Sequence, residues 1–188
     1  MTNKQKIVIA INGASGMLYA QRLLNKLATS DAVQDIGVVF SKNAESIWIS
    51  ELNKPLPTDN KKITIYNSND FSAPFASGSA QYNSMIICPA SMGIVGRIAG
   101  GISNCLITRA ADVILKERRK LIVVPRETPY NLIHLKNMET ITLAGGIICP
   151  ANPSFYNNPK SIEEVIDTVV NRILDLLKIP NDAFRWGE

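Results

Sequence analysis

Residues able to bind and activate an anionic small molecule are concentrated between Met85 and Glu127. An apolar run, Met85-Ile86-Ile87-Cys88, stops at Pro89 and is followed by Ser91-Met92-Gly93 and a helical pattern. A buried strand that delivers its carboxyl end to a Ser/Gly turn and a helix N-terminus forms an anion site, because the first N–H groups of a helix have no intrahelical acceptor. A second helix, Asn104 to Arg119, leads to a second apolar strand, Leu121 to Val124, which ends in Pro125-Arg126-Glu127. Hydroxyls, a guanidinium and a carboxylate are thereby brought toward one crevice edge. From Arg97 to Glu127 there are seven basic and three acidic residues, so this stretch alone carries the +4 excess of the whole chain. Arg109 and Lys116, seven apart, share a helix face that spacing leaves open to either a phosphate or water. Arg118, Arg119 and Lys120 read more simply as a solvated helix end whose charge suits the dipole.

These groups need a scaffold, and the rest of the chain describes one. Lys6 to Asn12 (KIVIAIN) is a β-branched run with the character of a strand buried on both faces. It ends at Gly13-Ala14-Ser15-Gly16, and a helix with Leu18, Leu23, Leu24 and Leu27 at helical spacing runs from Met17 to about Ala28. This is a strand, glycine turn and helix, without a GxGxxG fingerprint or a GxxxxGK[ST] loop, so neither NAD nor ATP is favoured. A strand from Gly37 to Phe40 ends at Ser41-Lys42, and the following helix carries Trp48 and Glu51. Ile63 to Tyr66 is a short strand, and Phe71 to Ser84, rich in Ser, Ala and Gly, reads as a functional loop. Thr128 to Ala144 forms a helix holding the only histidine, His134, which reads as a hydrogen-bonded structural residue. Ile147 to Cys149 is a further strand. Ser161 has the position of an N-cap, with Glu164 three residues on, for a helix that reaches about Lys178 and carries Arg172. The alternation predicts an α/β fold, a three-layer αβα sandwich of Rossmann-like or flavodoxin-like type with a parallel sheet. It is expected to be a single domain over residues 1–188, closing in a short tail, 179–188, that bears Trp186. Ligands of such folds sit beyond the carboxyl ends of the strands.

Bulk properties narrow the function. The 188 residues are 46% hydrophobic and 19% charged, as in ordinary globular proteins. The basic excess is modest, with no zinc-finger spacing and no aromatic RNA-binding signature, so an anionic small molecule suits it as well as nucleic acid. Three cysteines, Cys88, Cys105 and Cys149, sit in apolar or helical context and read as reduced core residues of a cytoplasmic protein. No run approaches the roughly 20 apolar residues of a membrane span, and no signal-peptide pattern is present.

Taken together, GASG, the Ser41-Lys42 pair, ASGS at Ala76–Ser79, CPASMG, TRAADVILKERRKLIVVPRETP, HLKNM, SFY and the terminal RWGE resemble the UbiX/Pad flavin prenyltransferases, of the flavoprotein superfamily that also holds cysteine decarboxylases. The likeness covers nearly the whole chain, and its block from Thr108 to Pro129 is the most specific part. It implies joining a dimethylallyl group from dimethylallyl monophosphate to N5 and C6 of reduced FMN, without a metal. The product serves a partner decarboxylase of the UbiD type, and family members assemble as dodecamers with sites at subunit contacts. By position, the FMN site would comprise Gly13, Ala14, Ser15, Ser41, Ser91, Met92, Gly93, Ile94 and Arg126. The allyl phosphate would be held by Arg109, Lys116, Glu127, Tyr156 and Arg172, with Trp186 in the pocket. Ser15, Glu51, Lys116 and Glu127 would act in the reaction. Two positions depart from the family pattern: Ile94 stands where relatives often have Thr, and Arg97 where a small residue is expected.

Residue chemistry agrees with that role. No DDxxD pattern marks a magnesium clamp for a diphosphate, and Arg and Lys neutralise a monophosphate leaving group directly. Aromatic faces at Tyr156 and Trp186 would favour an allylic cation, and Glu127 could manage a proton. Two alternatives compete: an FMN-dependent decarboxylase of aromatic acids or cysteine-type substrates, and a non-catalytic flavin carrier. The resemblance implies that such decarboxylases rely on a catalytic histidine near the flavin, and the sole histidine here falls in the HLKNM segment instead, which disfavours the first. The charged groups at the allyl-phosphate positions disfavour the second.

Overall fold

In the computed structural model, which describes residues 4–58, 60–185 and 187, six parallel strands form one sheet. They are β1 (Gln5–Ile11), β2 (Val33–Phe40), β3 (Ile63–Tyr66), β4 (Ser84–Ala90), β5 (Lys120–Pro125) and β6 (Ile147–Ile148), in spatial order β3-β2-β1-β4-β5-β6. The chain builds outward from β1 to β3, then returns to the other side of β1 and builds outward to β6. The direction of growth reverses between β1 and β4, and a crevice opens at their carboxyl ends. The expected three-layer αβα architecture is met, with the Rossmann strand order.

Period-two alternation along the apolar strands assigns the layers. Ile7, Ile9 and Ile11 face α1 (Met17–Thr29), Trp48 of α2 (Ala44–Leu52) and α6 (Ile162–Leu177). Val8 and Ala10 face the opposite layer of α3 (Met92–Ala99), α4 (Leu106–Lys116) and α5 (Leu132–Leu143). In α4, Leu106, Ile107, Ala110, Val113 and Ile114 are buried, while Arg109, Asp112 and Lys116 lie on the opposite side. Each Leu, Ile or Val among them contributes about 1.5–3 kcal/mol on burial, so the apolar stripe fixes which way the cationic face of α4 points.

Several boundaries differ from those read in the sequence. β4 passes through Pro89 to Ala90, with the Cys88-Pro89 bond in cis. α4 begins at Leu106, whose N–H donates to Ser68 O at 2.7 Å, and chain direction changes at Arg118, which has φ +55°. α5 begins at Leu132, not Thr128. Pro129 has no N–H, and Asn131 is the cap, its Oδ1 accepting from His134 N at 2.9 Å. The Ser161 hydroxyl caps α6 by accepting from Glu164 N, but the Glu164 carboxylate turns to Lys160 N, one residue before the expected partner. Within the segment read as a functional loop, Phe71 to Ser84, the side chains of Ala73, Phe75, Ala76, Tyr82 and Ser84 are buried and the others are partly or fully exposed. Phe75 is buried there, and a Cβ on Gly37 would stand 2.6 Å from its ring, so β2 has glycine where that ring meets the backbone. The three cysteines form no disulfide. Cys88 is buried, with its thiol pKa pushed up by burial, and Cys105 and Cys149 are partly buried.

Candidate functional site

A crevice of about 380 Å³ opens at the carboxyl ends of β1, β2 and β4. Asn12 and Gly13 form its β1 edge, Ser41 and Lys42 its β2 edge, and Ser91, Gly93, Ile94 and Arg97 its β4–α3 edge. Local chemistry explains this arrangement. Asn12 is the polar residue that closes an apolar strand; it is 4% exposed, and its N–H donates to Pro89 O at 3.2 Å. The Ser91 hydroxyl donates to Asn12 Oδ1, tying the end of β4 to the end of β1. Ser91 is also the N-cap of α3, in extended backbone, but its hydroxyl caps no α3 N–H. The N–H groups of Met92 and Gly93 therefore have no acceptor among the described residues. A Cβ on Gly93 would find only Ser91 Oγ, at 3.9 Å, within 4 Å, so the helix start is open on that side.

The GASG turn is built differently. Gly16 takes φ +107°, in the region that favours glycine, and has no side chain to cap α1. Glu51 of α2 supplies that cap: its carboxylate accepts from Gly16 N at 3.0 and 3.2 Å and from Met17 N at 2.8 Å. The anion site at the α1 N-terminus is thus filled by a carboxylate of the chain itself, whereas that of α3 is open. Ala14 is buried, its N–H donating to Asn12 O at 2.9 Å. Ser15 is exposed, and its carbonyl accepts from Arg126 Nε at 3.0 Å, so Arg126 clamps the GASG turn to the end of β5.

The residues read as holding an allyl phosphate do not converge within one chain. Arg109 and Lys116 project from α4, in the layer of α3 and α5. Arg109 donates to Ala76 O at 3.0 Å and pairs with Asp112, and Lys116 pairs with its neighbour Glu117. Tyr156 and Arg172 lie in the other layer. They line a second cavity of about 410 Å³ against α6, together with Asn171, Asp175 and Phe184. Glu127 is exposed at the end of β5, its carboxylate accepting from Thr128 N at 3.1 Å. Trp186 lies outside the described residues. His134 donates its backbone N–H to Asn131, while its Nδ1 accepts from Asn131 N at 3.4 Å, which is the structural part expected of it.

Sequence reasoning missed Asn12 as part of this crevice. The available signal was a lone amide closing the otherwise apolar KIVIAIN strand. Arg97, flagged only as a departure, lines the same crevice. Among the described residues, no group of three or more His, Cys, Asp or Glu is placed to hold a metal ion, and no helix is long and apolar enough to cross a membrane.

An αβα sheet with its crevice at the β1/β4 switch point and an open, acid-free helix start defines a nucleotide- or flavin-phosphate-binding class of protein. The chain belongs to the Flavoprotein family, whose model matches residues 1–174. It is 41% identical to the flavin prenyltransferase UbiX of Pseudomonas aeruginosa, with 100% of this chain and 97% of that protein covered. Among solved structures, the dodecameric FMN-dependent Ubix-like decarboxylase from Escherichia coli O157:H7 superposes with TM-score 0.91 at 34% identity, covering 98% of this chain and all of that one. AnUbiX (PadA1), solved in complex with FMN and dimethylallyl pyrophosphate, superposes with TM-score 0.85 at 38% identity, with the same coverage.

Proposed function

We propose that this protein is a flavin prenyltransferase, transferring a dimethylallyl group from an allylic phosphate ester to N5 and C6 of reduced FMN. The observation that carries the reading is the crevice in a chain of this family. It offers free N–H groups of α3, the hydroxyl of Ser41 and two cations, with no acidic side chain among its lining residues. Those groups fit the phosphate end of FMN. Gly13, Ala14, Ser15, Ser91, Met92, Gly93 and Ile94 would form the flavin's bed, and Arg126 would stand at its ring edge beside the GASG turn it clamps.

Reduced FMN, when bound, supplies the two nucleophilic positions; the remaining tasks fall to the protein. Breaking an allylic C–O bond leaves the electron pair on phosphate, so fixed cations must meet that charge as it develops. Arg109, Lys116 and Arg172 are the cations, Tyr156 is the hydroxyl donor, and Glu127 accepts or returns a proton. Because α4 and α6 lie on opposite faces of the sheet, this set is completed only where subunits meet. A dodecamer like that of the Escherichia coli O157:H7 relative provides such contacts. The relative's complex holds the pyrophosphate; we assign the monophosphate as donor here, since Arg109, Lys116 and Arg172 can neutralise a monophosphate leaving group directly. The product would serve a UbiD-type decarboxylase in the cytoplasm, where the unpaired cysteines stay reduced.

The test is anaerobic phosphate release from dimethylallyl monophosphate. Release should require the enzyme and reduced FMN together. Release of equal size without flavin would refute transfer to FMN.

A further inference from the structure

Arg97 is the one arginine that reaches the β1/β4 crevice, and its guanidinium has no hydrogen-bond or ion-pair partner among the described residues. Other arginines near the sheet are committed. Arg22 pairs with Asp167, Arg119 donates to the carbonyls of Gly78 and Ala80, and Arg126 donates to Ser15 O. Arg97 is only partly exposed, so its charge has lost some hydration without gaining a counter-ion. None of the residues lining the crevice is acidic. A cation in that setting is favourably matched by an anion delivered from outside.

The neighbours of Arg97 define the anion's place. Ile94, three residues earlier on the same face of α3, is fully buried and has no polar side-chain atom. The Ser91 hydroxyl is committed to Asn12. The α3 edge therefore has backbone N–H groups but no free side-chain hydroxyl for a phosphate, and Arg97 is the charged donor within reach of the same opening. Lys42, exposed on the β2 edge and also without a partner among the described residues, faces it across the crevice.

We propose that Arg97 is a phosphate-reading residue of this site, gripping the dianionic end of the bound flavin and setting the preference for FMN over unphosphorylated flavin. The inference rests on the FMN reading of the crevice, though not on prenyl transfer. A guanidinium suits the task because its fork meets two phosphate oxygens at once, which an ammonium does not do.

The experiment is equilibrium binding of FMN and of riboflavin to the full-length protein, followed by flavin fluorescence, for wild type, Arg97→Ala and Arg97→Lys. Arg97→Ala should weaken FMN binding by about 10- to 100-fold, the range for a charge-assisted contact, and leave riboflavin binding unchanged. Arg97→Lys should recover part of the loss. The thermal midpoint of the ligand-free variants should stay at the wild-type value. Equal loss for both flavins, or no loss for FMN, overturns the assignment. A lowered ligand-free midpoint together with loss of both flavins also overturns it, by showing that Arg97 supports the fold of α3. Wild type that binds FMN and riboflavin alike refutes the phosphate reading of the crevice itself. Wild type that prefers FMN through Arg97 but never prenylates it leaves this assignment standing and removes the proposed reaction.

Discussion

Glu51 offers a perturbation whose cost is readable from the structure. Its carboxylate is the only side-chain acceptor for the α1 N-terminal N–H groups among the described residues, accepting from Gly16 N and Met17 N at 2.8–3.2 Å from 35 and 34 positions along the chain. Gly16 cannot cap the helix itself. Removing a capping acceptor costs about 0.5–2 kcal/mol, and an anion at the dipole's positive end adds about 0.3–1 kcal/mol at an exposed site. Glu51→Ala should then cost about 1–3 kcal/mol, which for a chain of this length lowers Tm by roughly 2–12 °C. Glu51→Gln keeps an acceptor oxygen and loses the charge, so its drop should be less than half as large and should shrink in high salt. Thermal unfolding of the ligand-free proteins by circular dichroism, at low and high salt, is the assay. An unchanged Tm for Glu51→Ala would refute the capping account, as would an equal drop for both variants. If Glu51 also handles a proton in turnover, Glu51→Gln will lose far more activity than its small stability change explains.

Other expectations follow from particular contacts. Gly37→Ala should destabilise by about 1–3 kcal/mol through overpacking against Phe75, a loss that calorimetry would detect and that Phe75→Leu in the same chain should partly relieve. The Arg185 hydrogen bond holds the Asp175 carboxyl below its ordinary value of 3.8. Asp167 is likewise low: burial pushes it up, but Arg22 and Lys26 together outweigh that. Both carboxylates therefore contribute stability above pH 3.8 that is lost as the pH falls through their lower folded values. Asp175→Asn should be less stable than wild type at neutral pH in denaturant titrations, and the difference should close in strong acid; a gap that widened on acidification would reverse the sign. Lys116→Ala and Glu127→Gln should retain FMN binding while prenyl transfer falls on the order of 100-fold. A fully active 20.6 kDa monomer in light scattering would contradict the shared-site account.

The layer plan was legible because it rests on periodicity. KIVIAIN, the Met85 run and the Leu121 run are apolar on both faces, and only a covered parallel sheet buries them so. The crevice edge was legible as strand ends carrying Ser and Gly. Its internal wiring was not. Nothing in GASG announces that a carboxylate 35 residues later occupies its N–H groups, since that contact depends on where α2 lies. Ser91 reads as a ligand hydroxyl, but its proton goes to Asn12, a pairing set by the adjacency of β1 and β4. The helix expected from Thr128 begins at Leu132 because Asn131 supplies the side-chain cap, and Thr128-Pro129-Tyr130 before it, with its cis Thr128-Pro129 bond, does not continue the helix. Arg109 and Arg172 read as partners, yet the alternation of layers puts their helices on opposite faces of the sheet.

Whether this chain prenylates flavin is read from the mass of the flavin itself. Purified protein is incubated anaerobically with reduced FMN and dimethylallyl monophosphate, the flavin is released by denaturation, and its mass is read by high-resolution mass spectrometry. A flavin heavier by one five-carbon prenyl unit is expected, formed with EDTA present as readily as without it and on the order of 100-fold more slowly when Lys116→Ala replaces wild type. Recovery of unmodified FMN alone from assembled, FMN-bound protein, with the donor intact, would contradict prenylation.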